Sequence, residues 1–421
     1  MDTALPLHVD LKINRVLDED KSIHDWYRFV LSFPPHLVRE YLSKFEIGNG
    51  QCVLDPFAGT GTTLVEAKKQ GISSIGIEAN PVAHMASHAK ISWNIDTDKF
   101  LNDAYLIAEI AERECKNSKT PKHLSEEADK LLIKNSISQL PLHKSLILVE
   151  LISKYGTDEY QGLYKTAFAR NLVYKYSNLK FGPEVGISRK KITDCDVIGE
   201  WLNQIKIMKF DLEMHKDNSF VSSTVFYSDS RNYQPQILPR SIDAVICSPP
   251  YPNEKDYTRT TRLESVLLGF MSCRKDLRLF KESLIRSNTR NVFKGDCDDA
   301  WIENQQFVRD LSKQIEEERI RLKKTSGFER LYHRVVTLYF GGMARHLEEL
   351  KPALKKGAKL AYVVGDQASY FRIPIRTGQI LEEIASELGY CVLGRDLFRT
   401  RYATVTKERL KEEVVLLQWK K

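Results

Sequence analysis

The chain has 421 residues, of which 42% are hydrophobic and 28% charged, with a formal net charge of +7. These proportions are typical of a globular protein of one large domain with insertions, or of about two to three domains. No apolar run reaches the roughly 18 residues of a membrane-spanning helix, and the first residues lack the basic region and apolar core of a secretory signal. We therefore expect a cytoplasmic protein that does not interact with membranes.

Seven cysteines are scattered along the chain without a Cys-x-x-Cys pair. An odd number at wide spacing favours neither a disulfide framework nor a zinc ribbon, so we expect reduced cysteines and no metal site. The positive charge is compatible with a polyanionic partner, although many basic proteins have none.

In the first fifty residues, paired prolines at Pro34 and Pro35 separate an aromatic segment from a short helix predicted over Leu37 to Phe45. One interpretation is an N-terminal flap that packs on a sheet. The other is that this flap also closes one wall of a ligand pocket.

The first motif is the turn from Asp55 to Thr63, which contains Gly59 and Gly61. A short apolar strand precedes it and a helix from Leu64 to Gln70 follows. Glycine lets the backbone approach a ligand closely, and the helix N-terminus offers unpaired N–H groups. The turn alone is a weak indication of a nucleotide-like ligand, because tight turns commonly contain glycine.

Two carboxylates follow later predicted strands. Glu78 ends the apolar segment Ser74 to Glu78, about twenty residues beyond the glycines, where a doubly wound sheet places an acceptor for ribose hydroxyls. Asp229 follows the segment Ser223 to Tyr227 and is therefore expected at the same sheet edge.

A second motif, Ser248-Pro249-Pro250-Tyr251, follows the buried strand predicted over Ile242 to Cys247. Two prolines fix the directions of the backbone carbonyls, while the serine and tyrosine supply a small polar group and a flat ring. Those groups suit the binding of an exocyclic amine on a base. The alternative, a turn that merely ends a strand, is less favoured because the motif shares a sheet edge with the glycine turn.

The two motifs together resemble the DNA amino-methyltransferases, which use S-adenosylmethionine to methylate exocyclic amines of bases. The resemblance implies a Rossmann-like α/β methyltransferase fold, with a mostly parallel seven-stranded sheet, an antiparallel C-terminal edge strand and helical insertions. It implies catalysis by Ser248, Pro249, Pro250 and Tyr251, with Glu78 at the cofactor ribose and Asp229 at its adenine amine. The implied cofactor-binding residues are Phe33, Pro35, Asp55, Phe57, Gly59, Gly61, Thr62, Thr63, Glu78 and Asp229.

Three regions are predicted along the chain. Residues 1–99 form the flap and the first part of the methyltransferase domain, and residues 100–219 form a mainly helical insertion that is a candidate for target recognition. Residues 220–421 form the second part of the domain, with a further helical insertion at about 270–330, and the last two strands are expected to pair as a hairpin.

DNA contacts are expected from basic residues outside the sheet. A helix over Tyr257 to Leu267 would place two of them three residues apart on one face, and others interleave with aromatic residues in the first insertion. Solvated surface is the alternative for all of them. The candidates are Lys255, Arg259, Arg262, Arg286, Arg290, Lys175 and Lys180.

The resemblance implies transfer of a methyl group to cytosine N4 in double-stranded DNA after base flipping, since the serine form of the catalytic motif is typical of cytosine-N4 enzymes. The cofactor motif precedes the catalytic motif, unlike the commonest cytosine-N4 order, so adenine N6 remains an alternative target. An RNA amine methyltransferase and a non-catalytic nucleic-acid-binding module are less favoured alternatives. A separate restriction endonuclease is a candidate partner, and the oligomeric state is left open.

Overall fold

The computed structural model describes residues 16–28, 32–181, 185–232, 235–253, 255–403 and 408–421. The α-helices are α1 (Lys21–His24), α2 (Pro35–Lys44), α3 (Thr62–Lys69), α4 (Pro81–Ile91), α5 (Thr97–Asn117), α6 (Glu126–Asp129), α7 (Gln139–Tyr155), α8 (Asp158–Asn171), α9 (Val197–Met214), α10 (Tyr257–Thr260), α11 (Arg262–Leu267), α12 (Arg274–Glu282), α13 (Gln306–Arg321), α14 (Tyr332–Leu350) and α15 (Thr377–Glu387). The strands are β1 (Cys52–Asp55), β2 (Ser73–Glu78), β3 (Leu179–Lys180), β4 (Gly186–Ile187), β5 (Ser223–Tyr227), β6 (Ile242–Cys247), β7 (Leu354–Gly365), β8 (Cys391–Ala403) and β9 (Glu408–Gln418).

Seven strands form the main sheet in the order β5-β2-β1-β6-β7-β9-β8. From β1 the chain builds outward to β2 and β5 and then returns to add β6 on the other side of β1, where β1 and β6 pair in parallel. The strand order therefore reverses between β1 and β6. In open α/β sheets, a ligand crevice lies at this switch point, outside the carboxyl ends of the strands.

The C-terminal strands form the predicted hairpin. Strand β9 pairs antiparallel with both β7 and β8, so the antiparallel strand lies one position inside the edge and β8 is the edge strand. The predicted fold class is confirmed, because the other strands of this sheet run parallel and the helices pack around them.

Alternate residues of β6 pack on opposite faces of the sheet. Ala244 and Ile246 join an apolar cluster with α2, whereas Val245 and Cys247 join a cluster with α14 and α15. Burial on both faces explains why this strand is a continuous apolar run. It also fixes the end of β6 rigidly, which positions the turn that follows.

The first insertion packs against the rest of the chain. Helices α5, α7, α8 and α9 share one apolar cluster with α3, α4 and Trp26. The indole N–H of Trp26 donates to the carboxylate of Asp211 on α9 at 2.7 Å. The insertion and the N-terminal flap are thus joined through a common core.

Two details differ from the sequence predictions. The helix predicted over Tyr257 to Leu267 is broken at Thr261, whose φ of −116° and ψ of 16° are not helical, so it forms α10 and α11. Within the first insertion, where no strand was predicted, β3 and β4 form a short antiparallel pair.

Within the described ranges, no helix combines the length and the apolar character needed to cross a bilayer. Nor do His, Cys, Asp and Glu side chains gather there in a group of three or more that could hold a metal ion.

Candidate active site

A cavity of about 370 Å³ lies at the switch point between β1 and β6. The glycine turn after β1 forms part of its wall and the Ser-Pro-Pro-Tyr turn after β6 forms another part. The structure therefore brings together two motifs that lie almost 200 residues apart in the sequence. The predicted site residues that line the cavity are Phe33, Phe57, Gly59, Thr62, Glu78, Ser248, Pro249, Pro250, Tyr251 and Lys255.

The glycine turn is held by Glu78 at the end of β2. Glu78 Oε2 accepts the Gly59 N–H and Oε1 accepts the Asn80 N–H, both at 2.7 Å. Gly59 has a φ of +53°, and a Cβ added there would meet no atom closer than the Phe57 carbonyl at 3.8 Å. Glycine therefore provides the left-handed backbone here and leaves the approach to the turn open.

Gly61 has a different reason to be glycine. Its φ is +85°, and a Cβ would lie 3.0 Å from Ser87 Cβ and 3.2 Å from Ser87 Cα on α4. This glycine permits close packing of the turn against α4. It does not line the cavity, so its contribution to the site is indirect.

Asp55, Thr63 and Pro35 lie behind the cavity wall. Asp55 is fully buried: Oδ1 accepts the Phe57 N–H at 3.0 Å, whereas Oδ2 has no hydrogen-bond partner among the described residues. Thr63 donates its hydroxyl to the Ile246 carbonyl at 3.1 Å, which ties the turn to β6. Pro35 is buried at the first position of α2.

Burial raises the pKa of both carboxyl groups near the turn. The pKa of Asp55 is raised to about 7 by desolvation, and that of Glu78 is raised to about 7 by the same cause. Backbone N–H groups oppose this shift for both side chains. Burial therefore favours the neutral form of both carboxyl groups.

Asp229 lies beside the cavity and does not line it, although its neighbours Ser228 and Ser230 do. Its carboxylate accepts hydrogen bonds from Nε and Nη2 of Arg231, at 3.0 and 2.6 Å. Arg231 also donates to Asp298 Oδ2 at 2.6 Å. The sequence analysis missed Arg231, which fixes the orientation of the Asp229 carboxylate.

The Ser-Pro-Pro-Tyr turn presents hydrogen-bond acceptors and a ring. Ser248 Oγ donates its proton to the Val363 carbonyl at 3.1 Å, which leaves the oxygen lone pairs as acceptors. Tyr251 donates its backbone N–H to the Tyr257 hydroxyl at 3.3 Å. A Cβ on Gly365 would lie 3.1 Å from Tyr251 Cε2, so this glycine leaves room for the ring.

Several charged side chains line the cavity wall near Tyr251. Of these, only Lys255 was predicted from the sequence. Glu412, Arg399 and Arg401 contribute from the terminal hairpin, and Glu412 Oε2 accepts Arg399 Nε at 2.5 Å. Burial and the nearby Arg401 charge lower the pKa of Lys255. The Lys255 ammonium has no hydrogen-bond partner in the described part of the chain, which leaves it available to a ligand.

A buried pair of a glutamate and a tyrosine, Glu264 and Tyr27, also borders the cavity. Glu264 on α11 is fully buried and accepts the Tyr27 hydroxyl through Oε1 at 2.7 Å. Its Oε2 has no partner among the described residues, and burial raises the Glu264 pKa to about 7. The two residues lie 237 positions apart, so no local sequence pattern reveals this pair.

Apart from Lys255, which lines the cavity, the predicted DNA contacts divide into three groups. Arg259, Arg262 and Arg290 line a second hollow beside the cavity. Lys180 is exposed on β3, and Lys175 forms an ion pair with Glu200.

Arg286 does not lie on the surface as predicted. It is 4% exposed, its Nη2 lies 2.8 Å from Asp296 Oδ1, and Nη1 donates to the carbonyl of Lys281 at 3.0 Å. The N–H groups of the Arg286 guanidinium are therefore bonded to partners inside the second insertion. We therefore assign Arg286 a structural role and leave it out of the DNA surface.

The sheet order and the cavity at its switch point define a Rossmann-like methyltransferase fold. Residues 12–88 match the model of the N6_N4_Mtase family, described as DNA methylase. The Type II methyltransferase M.BsoBI of Geobacillus stearothermophilus is 29% identical over 299 residues, covering 66% of this chain and 58% of that protein. The Type II methyltransferase M.AvaI of Nostoc sp. is 26% identical over 417 residues, covering 89% of this chain and 80% of that protein.

By these matches the chain is similar to DNA amino-methyltransferases of restriction-modification type. The chain spans little more than half the length of M.BsoBI. Among solved structures, the rRNA methyltransferase AviRa of Streptomyces viridochromogenes aligns over 96% of this chain and 94% of its own. The two share 10% sequence identity at a TM-score of 0.32.

Proposed function

We propose that this protein transfers a methyl group from S-adenosylmethionine to the exocyclic N4 amine of cytosine in double-stranded DNA. The observation that carries the proposal is the shared cavity, in which the glycine turn and the Ser248–Tyr251 turn face the same space. One turn suits a nucleotide-like cofactor and the other suits an amine on a flat base.

The residues of the cavity fit the cofactor. A volume of about 370 Å³ falls within the usual range for ligand pockets. Each Glu78 oxygen accepts one backbone hydrogen bond and keeps a lone pair for a ribose hydroxyl. Phe33 and Phe57 supply apolar surface, and Asp229, held by Arg231, is our candidate for the adenine amine.

When bound, S-adenosylmethionine supplies an electrophilic methyl group. The Ser248 oxygen and the Pro249 carbonyl accept hydrogen bonds from the two amine hydrogens. Ser248 can act as an acceptor because its own proton is donated to the Val363 carbonyl. These bonds hold the nitrogen lone pair out of conjugation with the ring. Tyr251 stacks on the base, which must be flipped out of the duplex to reach the cavity. Catalysis then depends on positioning and fixed dipoles.

Cytosine is favoured over adenine by two features of the same wall. The motif begins with serine, the form typical of cytosine-N4 enzymes in the family that this chain resembles. In addition, Lys255 and Arg401 place positive donors on the cavity wall that Tyr251 also lines. Along the Watson–Crick edge beside its amine, cytosine presents two adjacent acceptors, N3 and O2, whereas adenine presents one, N1. We propose that Lys255 donates to this acceptor edge of cytosine.

The proposed partners follow from the reaction. Double-stranded DNA is the substrate, and a separate endonuclease that cleaves the unmethylated site is a candidate partner, as expected for a restriction-modification system. Both proposals, and a cytoplasmic location, rest on the resemblance to Type II methyltransferases.

Product analysis tests the proposal. Duplex DNA is incubated with the purified protein and isotopically labelled S-adenosylmethionine, digested to nucleosides and separated by mass spectrometry. We expect label in N4-methyldeoxycytidine. Label in N6-methyldeoxyadenosine would establish the alternative base. Absence of label from DNA, whether label appears in RNA supplied in a parallel reaction or the cofactor is bound without any transfer, would contradict DNA methylation.

A further inference from the structure

A second hollow of about 220 Å³ lies beside the cavity. Its charged side chains are four cations and one carboxylate, so their formal sum is +3. They come from α10, α11, α12 and the segments that precede α10 and follow α12, while backbone from the first insertion completes the rim. The hollow is lined by Leu131, Leu132, Ile133, Asp256, Arg259, Arg262, Leu277, Lys281 and Arg290.

Two of these cations are held in place by the protein. Arg262 donates through Nη2 to the Thr258 hydroxyl at 2.7 Å and through Nε to the Thr258 carbonyl at 3.2 Å. Lys281 Nζ lies 3.3 Å from Asp256 Oδ2. The side chains of both lysine and carboxylate are largely buried, at 13% and 6% exposure. This part of the hollow is therefore preorganised.

The other two cations have no counter-charge. Within the described residues, neither the Arg259 nor the Arg290 guanidinium forms an ion pair, and the Arg290 guanidinium lies 5.6 Å from the centre of the Phe328 ring. Burial lowers the pKa of Arg262 and of Lys281; the Asp256 carboxylate opposes this shift, and neighbouring arginines add to it. Uncompensated positive charge in a concave site favours an anion with several acceptor oxygens.

The hollow lies on the other side of a short helix from the cavity. Helix α10 contributes Tyr257 and Thr260 to the cavity wall and Arg259 to the hollow. Asp256, which holds Lys281, comes only five residues after Tyr251. An anion in the hollow would thus lie close to the entrance used by a flipped base. A DNA strand carries a phosphate about every 3.4 Å along the helix axis, so a strand whose base entered the cavity would carry phosphates within reach of the hollow.

We propose that this hollow binds a backbone phosphate of the strand whose target base enters the cavity. This inference rests on the proposed function and adds Lys281 to the DNA-binding residues. Arg259 and Arg290 would donate to the phosphate oxygens, while Arg262 and Lys281 supply fixed charge. Such a contact carries no sequence information and sets the register of the strand against Tyr251.

The test is duplex binding by the double variant Arg259→Gln/Arg290→Gln, measured by fluorescence anisotropy with a 30-base-pair duplex and S-adenosylhomocysteine present. We expect a Kd at least about 10-fold higher. The slope of log K against log salt should fall in magnitude by about 0.9 for each phosphate that the variant no longer neutralises. Arg321→Gln, at an exposed ion pair on α13, is the matched control and should change neither quantity. Arg259→Lys keeps the charge and should retain most of the slope.

Calorimetric affinity for S-adenosylhomocysteine should be the same in wild type and double variant, which separates phosphate binding from cofactor binding. An unchanged Kd and salt slope in the double variant would overturn the proposal. Tighter binding of an RNA duplex of the same length would overturn the assignment to DNA. Failure of the proposed function would show differently, as an inactive wild type that still binds DNA through these residues.

Discussion

The switch-point cavity and the helical insertion of residues 100–219 use similar residue types in opposite ways. In the cavity, Tyr251 and Lys255 face open space from turns that follow a rigid strand. In the insertion, Tyr176 is fully buried and donates its hydroxyl to the Val197 carbonyl at 2.7 Å, and Lys175 pairs with Glu200. Tyr174 and Lys175 of the same stretch are exposed, so a mixture of aromatic and basic residues in sequence does not show by itself which side chains face a ligand.

The largest expected effect is on methyl transfer by Tyr251→Ala. Loss of the ring removes the stacking surface for the base, so we expect the rate to fall by at least about 10²-fold, with folding intact. Tyr174→Ala, at an exposed tyrosine in the insertion, is the comparison variant. Single-turnover rates measure both, and equal rates for the two variants would remove the contrast between the regions.

Cofactor binding should be lost in Gly59→Leu. The positive φ costs a residue with a side chain about 1–2 kcal/mol, and the side chain would extend from the open side of the turn. Gly50→Leu places the same strain at a φ of +83° in open space before β1. Calorimetry should show lost affinity for S-adenosylmethionine only in the first variant. Unchanged affinity in Gly59→Leu would place the cofactor elsewhere.

A substitution in the core of the insertion should lower the stability of the protein and leave DNA binding unchanged. Tyr176→Phe removes a buried hydrogen bond to Val197 and leaves its carbonyl without that donor, so we expect a loss of about 1–2 kcal/mol in the free energy of unfolding. Urea denaturation measures this loss. Duplex affinity should stay at the wild-type value. A large drop in DNA affinity at unchanged stability would contradict this structural role and place Tyr176 at a DNA-binding surface.

The smallest expected effect is a pH-dependent difference between wild type and Glu264→Gln. Burial raises the Glu264 pKa from 4.5 to about 7. The contribution of Glu264 to the free energy of unfolding is therefore full below the pKa that this residue has in the unfolded chain, and it is lost as the pH rises through about 7. Glutamine still accepts the Tyr27 hydroxyl and does not titrate. The melting temperature of wild type should therefore fall relative to the variant between about pH 5 and about pH 8. A constant difference would mean that Glu264 is ionised throughout.

The sequence predicted the parts of the fold that depend on local pattern. The bounds predicted for the strand before the Ser-Pro-Pro-Tyr turn, Ile242 to Cys247, are those of β6. The parallel arrangement of strand ends then brought the two turns to one sheet edge. These features are encoded locally, by apolar runs that end in glycine or proline.

Features that depend on distant partners could not be predicted. The Tyr27–Glu264 pair joins residues 237 positions apart, and the Arg231–Asp298 pair joins residues 67 positions apart. Arg286 belongs to a basic segment that looks exposed in sequence, yet the fold buries it against Asp296 and backbone carbonyls. Local composition does not show whether a charge meets solvent or a buried partner.

The most direct test of the shared cavity is a crystal structure with S-adenosylhomocysteine bound. The proposal predicts the ribose at Glu78 and the sulfur facing the space bounded by Ser248 and Tyr251. Ligand bound at another surface, with the cavity between the two turns empty, would contradict the central claim.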